Sequence, residues 1–101
     1  MKSIEQKLKA LADKNRLKII KLLLSKNYCV KALAQNLNIS ESAVSQQLKI
    51  LRKAKLVVGE KRGYFVHYRV QRGVLDKIGK YVIQLSNLKK DNSGCCHEIQ
   101  K

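Results

Sequence analysis

Proline is absent, no internal repeat is present, and the first 90 residues hold no linker-like stretch. These absences exclude a solenoid or a chain of several domains and leave one small core. No apolar run exceeds Leu22-Leu23-Leu24, far short of the ~18 residues a membrane span needs. The first residues show neither a charged n-region nor an apolar h-region. A soluble, cytoplasmic protein with no membrane partner is therefore expected. Cysteine is scarce and odd in number, three in all, which speaks against a disulfide framework and for reduced thiols. Phe65 is the one phenylalanine, so the aromatic platform of RNA-recognition sheets is missing.

Acid is the other scarcity: 7 Asp+Glu stand against 22 Lys+Arg, a net charge of +15. Such an excess repels itself unless an anion offsets it, and nucleic acid is the commonest offset. With 101 residues, 45% of them hydrophobic, the chain supports one modest core. Apolar faces left over on terminal helices are most simply covered by a second copy, so dimerisation is expected.

Ser3 followed by Gln6 reads as a capping pair for a first helix carrying Ile4, Leu8 and Leu11 at helical spacing. Asp13 then caps a second, central helix through Arg16, Leu17, Ile20 and Leu24. A third helix is predicted from about Val30 to Leu37. Asn38-Ile39-Ser40 follows as a tight exit, a plug and a new cap, and a fourth helix runs from about Glu41 to Lys53. Helix, three-residue turn, helix is the helix-turn-helix spacing.

After Leu56 the period changes from helical to alternating. Val57–Glu60 and Tyr64–Val70 are rich in β-branched and aromatic residues, and Lys61-Arg62-Gly63 supplies a turn, predicting a β-hairpin with a cationic tip. A last helix, about Gly73 to Leu88, carries Leu75, Ile78, Val82 and Leu85 as a stripe. The fold class is mainly α with a β-hairpin, a winged helix-turn-helix. Residues 1–90 are expected to form one domain that serves DNA binding and dimerisation, on grounds given next, and residues 91–101 are expected to be a flexible tail containing Cys95 and Cys96.

Steps of 100° along the fourth helix place Val44, Leu48 and Leu51 on one face and Ser42, Ser45, Gln46, Lys49 and Lys53 on the other. The second set suits a major groove. Small hydroxyls permit close approach, Gln46 can pair with an adenine edge, and lysines reach phosphates. Gln47, on the border, suits either a base or a phosphate contact. Lys61 and Arg62 on the wing are placed to reach the minor groove or backbone. His67 reads as a surface or groove-lining side chain. With His67 on the hairpin and His97 on the tail, and no paired carboxylates, phosphate loop or nucleophile motif, the chain is not expected to be an enzyme.

The stretch from Leu11 to Val70 resembles the ArsR/SmtB family of metal- and metalloid-responsive winged-helix repressors. "LADKNRLKIIKLL" is similar to that family's second-helix signature, "LNISESAVSQQLKILRKAKLV" to its helix-turn-helix and "GEKRGYFVHYRV" to its wing, over about 60 residues. The resemblance implies a homodimer built through the first and last helices, here Ile4, Leu8 and Leu11 with Leu75, Ile78, Val82 and Leu85. It also implies that the dimer represses from a near-palindromic double-stranded operator and that an inducer lowers its DNA affinity. Two departures concern the inducer. Arsenic-sensing members carry a Cys-Val-Cys pattern where this chain has Cys29-Val30-Lys31, and zinc-sensing members place Asp and His on the last helix, where this chain has Asp76 and no histidine.

No permanent cofactor is expected. Three thiolates satisfy trivalent arsenic or antimony, and cadmium and lead also favour sulfur. Members of the resembled family can join a helix thiol to tail thiols, which makes Cys29, Cys95 and Cys96 the candidate inducer ligands, with His97 added if the ion is zinc or cadmium. Two other readings stay open: a redox or sulfur-species sensor using the same thiols, and a constitutive DNA-binding protein with no inducer.

Overall fold

A computed structural model describes residues 3–91, which form five helices and one antiparallel two-stranded sheet. Helix α1 (Ile4–Leu11) begins at Ser3, whose Oγ accepts the Gln6 backbone N–H at 3.2 Å. Helix α2 (Lys14–Ser25) begins at Asp13, whose carboxylate accepts the Asn15 and Arg16 N–H groups, each at 3.0 Å. Both caps satisfy first-turn amides that have no partner within the helix.

Helices α3 (Val30–Leu37) and α4 (Glu41–Lys53) have the boundaries their apolar spacing predicts. Between them Asn38 takes the left-handed conformation, φ 56° and ψ 46°, and the Ile39 N–H returns to the Ala34 carbonyl at 3.2 Å. Ser40 Oγ then accepts the Ala43 N–H at 3.0 Å and starts α4. At its far end α4 closes with Leu56 N–H on the Leu51 carbonyl and Lys55 N–H on the Arg52 carbonyl, the paired bonds of a Schellman motif. Lys55 holds the left-handed position there, at φ 65°.

Three helices meet in the core. Ile19 of α2, Leu33 of α3, and Val44, Leu48 and Leu51 of α4 are fully buried, with Leu56 just beyond α4. Among the described residues no polar or charged side chain is buried, so the core's stabilisation is hydrophobic, about 1.5–3 kcal/mol for each fully buried aliphatic side chain.

Strands β1 (Val57–Arg62) and β2 (Phe65–Val70) pair from Val57↔Val70 to Arg62↔Phe65. The connection is therefore the two residues Gly63-Tyr64. Lys61 and Arg62 are the last residues of β1 rather than part of the turn, because a two-residue hairpin needs positive φ at its first central position and Gly63 supplies it, at 63°. Within β1, a Cβ at Gly59 would stand 3.1 Å from both Tyr68 Cε1 and Val66 Cγ1, so a larger residue there would have to push those side chains back by a few tenths of an ångström. Tyr28, between α2 and α3, bridges the free edge of β2 by accepting the Tyr68 N–H at 3.5 Å.

Helix α5 (Arg72–Ser86) holds the whole stripe and ends a half-turn before the expected end at about Leu88. Asn87 and Leu88 N–H groups bond three residues back, to Gln84 and Leu85, and close it. Among the described residues no helix is long and apolar enough to cross a membrane.

Asn38→Val forces a β-branched residue into left-handed backbone and is expected to cost about 1–2 kcal/mol, read as a lower denaturant midpoint. Asn38→Gly should leave the midpoint within a few tenths of a kcal/mol of wild type.

Candidate nucleic-acid interface

The core decides which face of α4 meets solvent. Because Val44, Leu48 and Leu51 are buried, Ser42, Ser45, Gln46, Lys49 and Lys53 are exposed together on the opposite side. Glu41 is the lone acid of the helix, in its first turn, and Arg52 and Lys53 close the last one. These positions match a helix laid in a groove, with short side chains at the N-terminal half and cations toward the C-terminal half.

Gln47 differs from its neighbours. It is half-buried, and its Oε1 accepts the Arg16 Nη1 donor at 2.8 Å, while Arg16 Nε donates to the Ala10 carbonyl at the end of α1. Arg16 thus ties α1, α2 and α4 together and takes one of the two lone pairs of the Gln47 oxygen. The clue to this role was a lone arginine beside the apolar face of α2, read above only as part of a helix.

The wing gathers three of its four charged side chains on one face and leaves Lys61, paired with Val66, on the other. Strand alternation and register set Glu60, Arg62, Phe65, His67 and Arg69 on the same side of the hairpin. Arg69 Nε donates to Glu60 Oε2 at 3.2 Å and Arg62 Nη2 to Glu60 Oε1 at 3.4 Å. Arg69 first, then Arg62, holds the Glu60 carboxyl below the usual glutamate range. Lys61 is exposed, as is Arg62. His67 is half-buried and its Nδ1 has no hydrogen-bond partner among the described residues. The Glu60–Arg69 pair escapes a one-dimensional reading because its members are nine residues apart and meet only across strands, whereas Arg62 joins from two residues along β1.

Cys29 is the N-cap residue of α3, half-buried, with no side-chain cap bond. Cys95, Cys96 and His97 lie outside the described residues. Among the described residues no group of three or more His, Cys, Asp or Glu side chains could hold a metal ion. Asp76 pairs with Lys80 at 3.0 Å.

The apolar stripes divide in two. Ile4, Leu8, Leu11 and Leu75 pack against the core, and Ile78 is only 3% exposed, so it belongs to the protomer's own interior and has little surface to give a partner. Val82 and Leu85 are exposed, and Ile83 and Leu88 join them. What these stripes leave exposed therefore sits on the C-terminal half of α5 and just beyond it.

Glu60→Gln removes one negative charge and replaces one of the two oxygens that each hold a guanidinium group with an NH₂ donor, so affinity for non-specific duplex should rise. A carboxylate whose folded pKa is depressed stabilises the fold above its unfolded pKa and loses that contribution as pH falls through the folded value. The wild type's stability advantage over Glu60→Gln should therefore shrink below about pH 4, which paired thermal melts across acidic pH would show.

The family model for bacterial regulatory proteins of the arsR family matches residues 13–58. The transcriptional repressor SdpR of Bacillus subtilis is 31% identical over 84 residues, covering 83% of this chain and 92% of the relative. The arsenical resistance operon repressor of the same organism is 31% identical over 97 residues, covering 95% of this chain and 92% of its own length. A homodimeric winged helix-turn-helix DNA-binding domain from Mycobacterium bovis, a possible ArsR-family regulator, superposes with a TM-score of 0.69 at 25% identity, covering 82% of this chain and 78% of that one. The recognition helix, the wing and these likenesses together make the chain a member of the arsR family of winged helix-turn-helix transcriptional regulators, and not an enzyme.

Proposed function

We propose that the chain is a cytoplasmic, homodimeric repressor that reads a near-palindromic operator with its paired α4 helices. In this reading a thiophilic metal or metalloid, trivalent arsenic or antimony, releases it. The observation that carries the DNA reading is the outward face of α4. Ser42, Ser45, Gln46, Lys49 and Lys53 are exposed as a set, opposite a fully buried Val44, Leu48 and Leu51. Gln46 is assigned a base edge, Ser42 and Ser45 close approach, and Lys49, Lys53, Lys61 and Arg62 the phosphates.

The dimer is supported by the exposed Val82, Ile83, Leu85 and Leu88 on and beyond α5, and by the homodimeric state of the Mycobacterium bovis domain. Two α4 helices related by a dyad would read half-sites about 34–36 Å apart, or a multiple of that spacing.

The inducer reading has a narrower support: the thiol of Cys29, the sequence positions of Cys95 and Cys96, and the similarity to a protein named for arsenical resistance. The described residues supply one thiol and do not by themselves make a three-ligand site. An inducer need only favour the DNA-incompetent state; a coupling of about 3 kcal/mol changes operator affinity roughly 150-fold.

Selection of duplexes from a random pool identifies the operator, and fluorescence anisotropy then measures affinity for it. Gln46→Ala is expected to cost about 1–3 kcal/mol and to relax specificity at one base pair. Lys49→Ala should weaken all duplexes alike and lower the salt slope by about 1. Trivalent arsenic should release the wild type and not a Cys95→Ser/Cys96→Ser variant. A full response from that variant would remove the tail thiols from the account, and release by peroxide but not by arsenic would favour the redox alternative.

A further inference from the structure

The tip of the wing is an exposed apolar feature. Tyr64 is fully exposed and Phe65 is 61% exposed. Neighbouring Val66 is exposed as well. The Gly63-Tyr64 turn sets Tyr64 at the apex, and the register puts Arg62 across from Phe65 and Lys61 across from Val66. Two cations therefore collar an aromatic tip.

Position adds a second constraint. The cleft beneath the tip is lined by Tyr64 and Phe65 from the wing, by Lys31 from the first turn of α3, and by Glu41 from the first turn of α4. The tip thus stands beside the N-terminal end of the recognition helix, the end that meets base edges in helix-turn-helix complexes. A surface meant for phosphates alone would gain nothing from a phenol and a phenyl ring. A minor groove has phosphates along both rims and sugars and base edges between them, which suits cations around an aromatic centre.

We propose that Tyr64 and Phe65 enter the minor groove flanking the half-site read by α4, and that Tyr64 makes the wing select A·T over G·C there. This rests on the DNA-binding reading above and adds specificity to it. The chemical basis is the groove floor. A·T pairs present only acceptors, adenine N3 and thymine O2, which suit the Tyr64 hydroxyl as a donor, whereas guanine's 2-amino group projects from the floor into the space the phenol ring would take. Phe65, with no polar group, packs on sugar edges or wedges a base step. Lys61 and Arg62 hold the two phosphate rims.

The test uses the full-length protein and the duplex selected by the wild type, altered only in the flanks. Replacing flank adenine with 2,6-diaminopurine adds the minor-groove amino group and leaves the major-groove edge unchanged. Wild-type affinity is expected to fall about fivefold or more, the low end of the usual loss for a mismatched pair. Tyr64→Ala should bind the unmodified duplex correspondingly more weakly and be indifferent to the modification, and Phe65→Ser should weaken both duplexes alike. Tyr64 is fully exposed, so its variant should keep the wild-type thermal midpoint, which separates lost contact from lost fold. Equal sensitivity of wild type and Tyr64→Ala to diaminopurine overturns the inference, as does unchanged affinity of Tyr64→Ala. A change in sedimentation of Tyr64→Ala without DNA would instead make the tip a contact between copies, and also overturns it. Gln46→Ala serves as the reference. If it loses affinity while Tyr64→Ala does not, the wing inference fails alone; if the wild type selects no duplex, the DNA reading fails and takes the wing inference with it.

Discussion

Burial of Val44, Leu48 and Leu51 is the constraint on which the rest depends. Residues on a helix are separated by 100° steps, so once those three are committed to the core with Ile19 and Leu33, the direction of every other α4 side chain follows. Ser45 and Gln46 cannot turn inward without leaving a polar group unpaired in an interior that holds no polar side chain among the described residues. Rotating α4 by one residue would expose aliphatic side chains each worth about 1.5–3 kcal/mol of burial, a large part of a small domain's net stability. The outward face of the helix is therefore fixed by the hydrophobic face behind it, and Arg16 reinforces the setting by bonding Gln47 on the border.

The same division of labour runs through the wing. Val57 and Val70 anchor its base in the core, Tyr28 ties β2 to the connection before α3, and Gly59 lets Tyr68 lie close across the sheet. Beyond that anchored base the hairpin carries charge and aromatic surface outward. Glu60 is the one acid among these cations, and by holding Arg62 and Arg69 it orders them while lowering the local positive charge. Surface ion pairs of this kind contribute little to stability, so its larger effect falls on how the wing meets an anion.

Local signals were legible wherever one residue type has one mechanical use. Asp13 and Ser40 accept first-turn amides, Asn38 takes left-handed backbone, and apolar spacing set both ends of α3 and α4. Features that depend on partners distant in sequence were not. Whether Lys61 and Arg62 lie in a turn or in a strand depends on the register with Phe65 and Val66, which alternation alone leaves open by a residue or two. Ile78 sits in a stripe that continues to Val82 and Leu85, yet the near half of the stripe serves the protomer's core and only the far half is left for a partner. Arg16 bridges three helices through a carbonyl and an amide that no periodicity announces. The thiol pair at Cys95 and Cys96 is legible as chemistry and lies outside the described residues.

The central claim is that one face of α4, assisted by the wing, meets duplex DNA. The most direct measurement is an amide and side-chain chemical-shift map of the isotopically labelled protein titrated with its selected duplex. The account predicts shifts concentrated at Ser42, Ser45, Gln46 and Lys49, with a second set at the wing residues around Lys61 and Arg62, and little change at Val82 and Leu85 on α5. Shifts centred on α5 with α4 silent would contradict it.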